Sequence, residues 1–122
     1  MSSHSVALLQ RDPRIAHSLL IQLSRASFPV RAVKSVGELP EQIRENGVEV
    51  VVLDLEAASI SDVETLSHEF PRVRFMCNHR VADEEMWRTV LNAGAEDCFS
   101  SLDVQGIVHA VLRDASAQSA AA

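Results

Sequence analysis

Glycine is scarce in this chain, and no two glycines lie close enough to build a loop. The four stand at positions 37, 47, 94 and 106. Neither a G-x-G-x-x-G nor a Walker A pattern can be drawn through them, which excludes a glycine loop cradling a nucleotide phosphate. Cysteine is scarcer still, with Cys77 and Cys98 alone. Each sits in an apolar stretch that reads as a buried strand, and neither shows metal-ligand spacing, so reduced structural thiols are expected. No Ser/His/Asp or Cys/His set carries a catalytic signature. No apolar run approaches the roughly 20 residues needed to cross a bilayer as a helix. The opening Met1-Ser2-Ser3-His4-Ser5 has no basic or apolar signal-peptide region, and a cytoplasmic location is expected. Positive charge is also short. Eleven Lys and Arg against 17 Asp and Glu leave a formal net charge of -6. That balance is a poor match to nucleic acid or an anionic membrane, and neither is expected as a partner of this domain.

What is present is ordinary globular composition: 122 residues, 47% hydrophobic and 23% charged. This supports one domain, drawn over residues 1–113, and excludes disorder as its main state. Residues 114–122, Asp-Ala-Ser-Ala-Gln-Ser-Ala-Ala-Ala, read as a linker, a disordered tail or a frayed helix end. Short apolar runs alternate with amphipathic stretches five times. The runs are Val6–Leu9, a weaker Val30–Val36, the strong Val48–Leu53, Val73–Cys77 interrupted by Arg74, and the short Cys98-Phe99. Continuous apolar runs suit parallel strands covered on both faces.

The intervening stretches carry helix signals. Asp12-Pro13 opens the first helix, followed by Ile15, Ala16, Leu19, Leu20 and Leu23 at helical spacing. The second spans Glu38 to Glu45 and stops at Asn46-Gly47. Ser61-Asp62 is expected to open the third, which Pro71 ends. Asp83-Glu84-Glu85 opens the fourth, and Asp103 caps the fifth. Five strand–helix units imply right-handed crossovers and an open, doubly wound α/β sheet with helices on both faces.

Sheets of this kind bind at the carboxyl ends of their strands. Those ends carry Gln10, Arg11 and Asp12 after the first strand, Asp54 after the third, Asn78 and His79 after the fourth, and Ser101 after the fifth. Asp54 ends the most apolar strand, so its carboxylate is partly desolvated and needs a partner. His79 is the one histidine of five at a strand end. It could donate to an anion or to Asp54, or be an ordinary loop histidine.

Residues 5–113 resemble a response-regulator receiver domain. VALLQRDP at Val6–Pro13 is similar to the family's first strand and acidic turn. VVVLDL at Val50–Leu55 is similar to the strand carrying the phospho-acceptor aspartate. FPRVRFMCNH at Phe70–His79 resembles the fourth strand, and NAGAEDCF at Asn92–Phe99 the helix end and fifth strand. The resemblance implies a flavodoxin-like five-stranded sheet in the order 2-1-3-4-5. It places the phospho-acceptor role on Asp54, and on Trp87 a position in the face of the fourth helix, fifth strand and fifth helix that receivers use for partners. A homodimer through the fourth and fifth helices would use this face.

The departures from the family are as informative. The two metal-binding acids fall on Gln10 and Arg11, and Asp12 comes one place too late. The mobile hydroxyl is replaced by His79, or by Asn78 one register step earlier. The lysine of the fifth strand falls on Ser101. Phosphoryl transfer needs cations to neutralise developing charge, and Mg²⁺ wants several oxygen ligands. Weak or absent Mg²⁺ binding and no other cofactor are therefore expected. The expected function is an atypical pseudo-receiver of two-component signalling, not an enzyme, acting on a protein partner or a fused effector domain. The alternatives are an active receiver phosphorylated on Asp54 and an anion or small-ligand sensor in the strand-end crevice. The Arg11 guanidinium is expected to stand in for the metal, within salt-bridge reach of Asp54.

Overall fold

The computed structural model describes the backbone of residues 5–26 and 28–121, and the side chains of residues 5–26 and 28–112. Elements alternate throughout: β1 (Ser5–Leu9), α1 (Pro13–Arg25), β2 (Val30–Ala32), a 3₁₀ turn (Val36–Glu38), α2 (Leu39–Asn46), β3 (Val48–Asp54), α3 (Ile60–Glu69), β4 (Arg74–His79), α4 (Glu84–Asn92), β5 (Asp97–Ser100) and α5 (Val104–Ala121). All strand pairs are parallel and the order is β2-β1-β3-β4-β5. The expected doubly wound sheet is present, with β1 inside rather than at an edge. α5 carries the backbone on as helix to Ala121, over most of the expected tail at residues 114–122, whose side chains lie outside those described.

Alternation along each strand divides the core between two faces. Ala7, Leu9, Val51, Leu53, Phe75 and Cys77 pack under α2, α3 and α4 through Leu39, Ile43, Val63, Leu66 and Val90. Val6, Leu8, Val50, Val52 and Met76 pack under α1 and α5 through Ile15, Leu19, Leu23, Ile107 and Val111. Burying each large aliphatic chain of this kind contributes about 1.5–3 kcal/mol. The strong central strands follow from β1 and β3 being covered on both sides.

Several boundaries differ from those read in the sequence. The second strand shrinks to Val30–Ala32, in ladder register with β1, and Val33 adds an N–H donated to the Leu8 carbonyl at 2.9 Å. The cap of α3 is Ser59 rather than Ser61: its hydroxyl accepts from the Asp62 N–H at 3.1 Å while Asp62 accepts from the Ser59 N–H at 2.9 Å. Such a reciprocal pair satisfies two donors that a helix start leaves open. Arg74 does not weaken β4. It reaches out of the strand to Glu96 at 2.9 Å and to the Ala110 carbonyl of α5 at 3.0 Å. Asp12, Asp83 and Asp103 cap α1, α4 and α5 as their sequence signals indicate.

Candidate functional site at the strand ends

Asp54 is the last residue of β3 and only 2% exposed. Three N–H groups converge on its carboxylate. The Arg11 backbone N–H donates to Oδ2 at 2.8 Å, the Gln10 Nε2 amide to the same oxygen at 3.3 Å, and the Glu56 backbone N–H to Oδ1 at 2.9 Å. Adjacent strands allow this geometry. Leu9 is paired with Leu53 across β1 and β3, so the chain leaving β1 passes over the end of β3 and presents its amide there.

The Arg11 side chain does not take the place expected for it. The residue is exposed, and its guanidinium makes no ion pair with Asp54. With the N–H turned inward to the carboxylate, the side chain is carried to the outer wall of a cleft of about 410 Å³, beside Asp12, Glu56 and Arg80. The cation that does form an ion pair in this cleft is Arg80, whose Nε lies 3.6 Å from Glu56 Oε1. From the sequence, Glu56 is legible at the end of the third strand but carries no role, and Arg80 is missed. Their signal was positional: each lies two residues beyond an in-register strand end, after Asp54 and Asn78 respectively. Asp12 serves its helix, its Oδ1 accepting from Arg14 N–H at 2.9 Å.

The ladder places Asn78, rather than His79, directly opposite Asp54. Asn78 is fully buried, and its Oδ1 accepts a 2.9 Å hydrogen bond from the Ser101 hydroxyl. Ser101 is 2% exposed, and its N–H donates to the His79 carbonyl at 3.1 Å. Asp54, Asn78 and Ser101 thus form a buried polar row across β3, β4 and the end of β5. Two buried atoms in this neighbourhood have no protein partner, Gln10 Oε1 and Asn78 Nδ2. His79 is turned to its own loop, where Nδ1 accepts from the Val81 N–H at 3.0 Å. That bond requires an unprotonated Nδ1. His17, His68 and His109 are exposed on helices.

Trp87 is 44% exposed on α4. Its indole N–H donates to Asp97 Oδ1 at 3.0 Å, so the ring is tied to β5. The same oxygen accepts the Cys98 N–H at 2.8 Å. Cys77 and Cys98 are free, buried and paired in register. Burial pushes both thiols up, Cys98 to about 11 with a further push from Asp97; Cys77 is raised by burial and then by Cys98. Both are protonated at neutral pH. No helix among the described residues is long and apolar enough to cross a membrane.

The fold is that of response-regulator receiver domains. A CheY-like receiver domain protein from Methanospirillum hungatei JF-1 superposes with a TM-score of 0.81 at 16% identity, covering 99% of this chain and 100% of that one. A response regulator from Thermotoga maritima gives 0.81 at 16% identity, covering 92% and 97%. The BeF3-activated DrrB receiver domain gives 0.78 at 17% identity over the same shares. No protein-family model matches the sequence, and no curated protein is found as a relative.

Proposed function

We propose that this chain is a pseudo-receiver: a signalling module of two-component type that keeps the receiver fold and works by protein–protein contact. The observation that carries this reading is the occupation of Asp54 Oδ2 by the Arg11 N–H and the Gln10 amide. In the family this chain resembles, two acidic residues at the positions of Gln10 and Arg11 hold the metal together with the aspartate. Of the three matched acidic positions Asp54 alone keeps a carboxylate, and Gln10 and Arg11 turn N–H donors toward it. This donor set does not suit Mg²⁺, which seeks several oxygens in near-octahedral array, so the ion is expected to bind weakly or not at all. Ser101 in place of the family's lysine removes the second cation and fills the position with a buried hydroxyl. Asp54 is then a structural acceptor. The partner is a protein or a fused effector domain in the cytoplasm, and self-association through the α4 and α5 side around Trp87 is the expected homodimer. The domain is not an enzyme on this reading.

A second reading, an anion sensor, is favoured by one feature: Arg11 and Arg80 both line the strand-end cleft. The two readings separate on incubation with acetyl phosphate and Mg²⁺ followed by intact mass, alongside thermal stability in inorganic phosphate. The pseudo-receiver gains no phosphoryl mass and is not stabilised by phosphate. A stoichiometric phosphoryl adduct on Asp54 would overturn it.

A further inference from the structure

The side of α4 turned away from Trp87 carries a cleft of about 420 Å³ between the start of α3 and the first turns of α4. Ile60, Val81 and Met86 form its apolar wall, and Asp83 and Glu85 its rim. Val81 is 64% exposed, although it is a large aliphatic residue in a short loop. Solvation of such a side chain costs free energy that a partner's apolar group would recover.

The charge around the cleft is one-sided. Glu84 is taken by Arg88 at 2.8 Å, and Asp83 Oδ1 by the Met86 N–H at 2.9 Å. Asp83 Oδ2 has an acceptor position left, and the Glu85 carboxylate has no partner among the described residues. Part of this acidity has a local reason, since carboxylates favour a helix N-terminus. Ile60 and Met86 also pack against the core, but the exposed Val81 beside them has no such reason.

The geometry points to this cleft as the docking site for a cationic amphipathic segment of a partner protein. Apolar side chains of the segment would enter between Ile60, Val81 and Met86, and its Lys or Arg residues would lie on Asp83 and Glu85. A second copy of this chain is a poor occupant, because the chain has a net charge of -6 and an isologous contact would set this acidic rim against itself. The cleft also reaches the strand-end row. His79 lines it, and the residue before it, Asn78, is in register with Asp54. A docked segment therefore contacts the loop held by the bond from Val81 N–H to His79 Nδ1.

This inference rests on the reading of the domain as a contact module, but its test is separate from the phosphorylation test. The full chain, labelled with ¹⁵N and at its Ile, Leu, Val and Met methyl groups, is titrated with a synthetic helical peptide made only of Leu and Lys. A matched peptide with Glu for Lys serves as control. The expected result is saturable shifts at the Ile60, Val81 and Met86 methyls with the Lys peptide alone, weakening as salt rises. Glu85→Lys, a change at an exposed position, should weaken binding about tenfold. Absence of saturable shifts overturns the proposal. So does equal binding of the Glu peptide, or a response centred on the Trp87 indole and Leu102. Shifts of the cleft methyls on concentrating the protein without peptide would assign the cleft to a second copy instead. None of these outcomes bears on whether Asp54 accepts a phosphoryl group.

Discussion

The Arg11 backbone N–H lies 2.8 Å from Asp54 Oδ2, while the guanidinium of the same residue faces solvent. The carboxylate is therefore held by the path of the chain after β1 and not by a charge on Arg11. Arg11→Ala keeps the N–H and should leave stability within about 0.5 kcal/mol of the parent, the usual range for a surface change. Urea unfolding checks this. A loss of several times that size would show that the guanidinium supports Asp54 after all.

Ser101 and Asn78 form the one buried hydrogen bond between side chains in the polar row. Ser101→Ala leaves Asn78 Oδ1 without its donor, in addition to an Nδ2 that already lacks a protein acceptor. The expected cost is about 1–3 kcal/mol, that of an unsatisfied buried group. Asn78→Leu combined with Ser101→Ala removes both partners, and should cost less than the sum of the single changes. Strict additivity in a double-mutant cycle would show that the two residues do not act as a pair.

The thiols fix an alkaline limit. The Cys98 thiol is raised from 9.0 to about 11, chiefly by burial and then by Asp97. A group whose folded value lies above its unfolded value contributes stability that is complete below the unfolded value and lost as pH rises through the folded one. The urea midpoint should therefore fall between pH 9 and about 11. Cys98→Ala should shallow that slope, whatever it costs at neutral pH. An unchanged slope in the variant would assign the alkaline loss to other groups.

Trp87 is tied to β5 through Asp97 yet remains 44% exposed. Large, half-exposed aromatic residues are frequent anchors of interfaces. Trp87→Glu should weaken the proposed self-association in sedimentation velocity and cost less than about 1 kcal/mol of stability. Unfolding of the variant, or an unchanged association state, would remove Trp87 from the interface.

The architecture was legible because β1 and β3 are covered on both faces, which forces the continuous apolar runs Val6–Leu9 and Val48–Leu53. Helix starts were legible where an Asp stood directly before the helical stretch, as at Asp12, Asp83 and Asp103. Ser59 was missed in favour of Ser61, although Ser59 with Asp62 three residues later is itself a capping-box signature. The strand-end residues were legible as a set, but their roles were not. Whether Asn78 or His79 faces Asp54 depends on one step of register, which only the β3–β4 ladder defines. That Arg11 would serve through its N–H depends on the direction of the backbone as it leaves β1, which residue type does not encode.

The most direct test of the locked site is an amide NMR titration of the parent protein with Mg²⁺ and beryllofluoride, repeated on Gln10→Asp/Arg11→Asp/Ser101→Lys. The locked site predicts no saturable shifts around Asp54 in the parent. The triple variant, with oxygen ligands and the lysine returned, should show them if the strand ends keep their geometry. Saturable, stoichiometric shifts of Asp54 and its neighbours in the parent would contradict the account, since they would show that the Gln10 and Arg11 donors yield to a metal and a phosphoryl mimic.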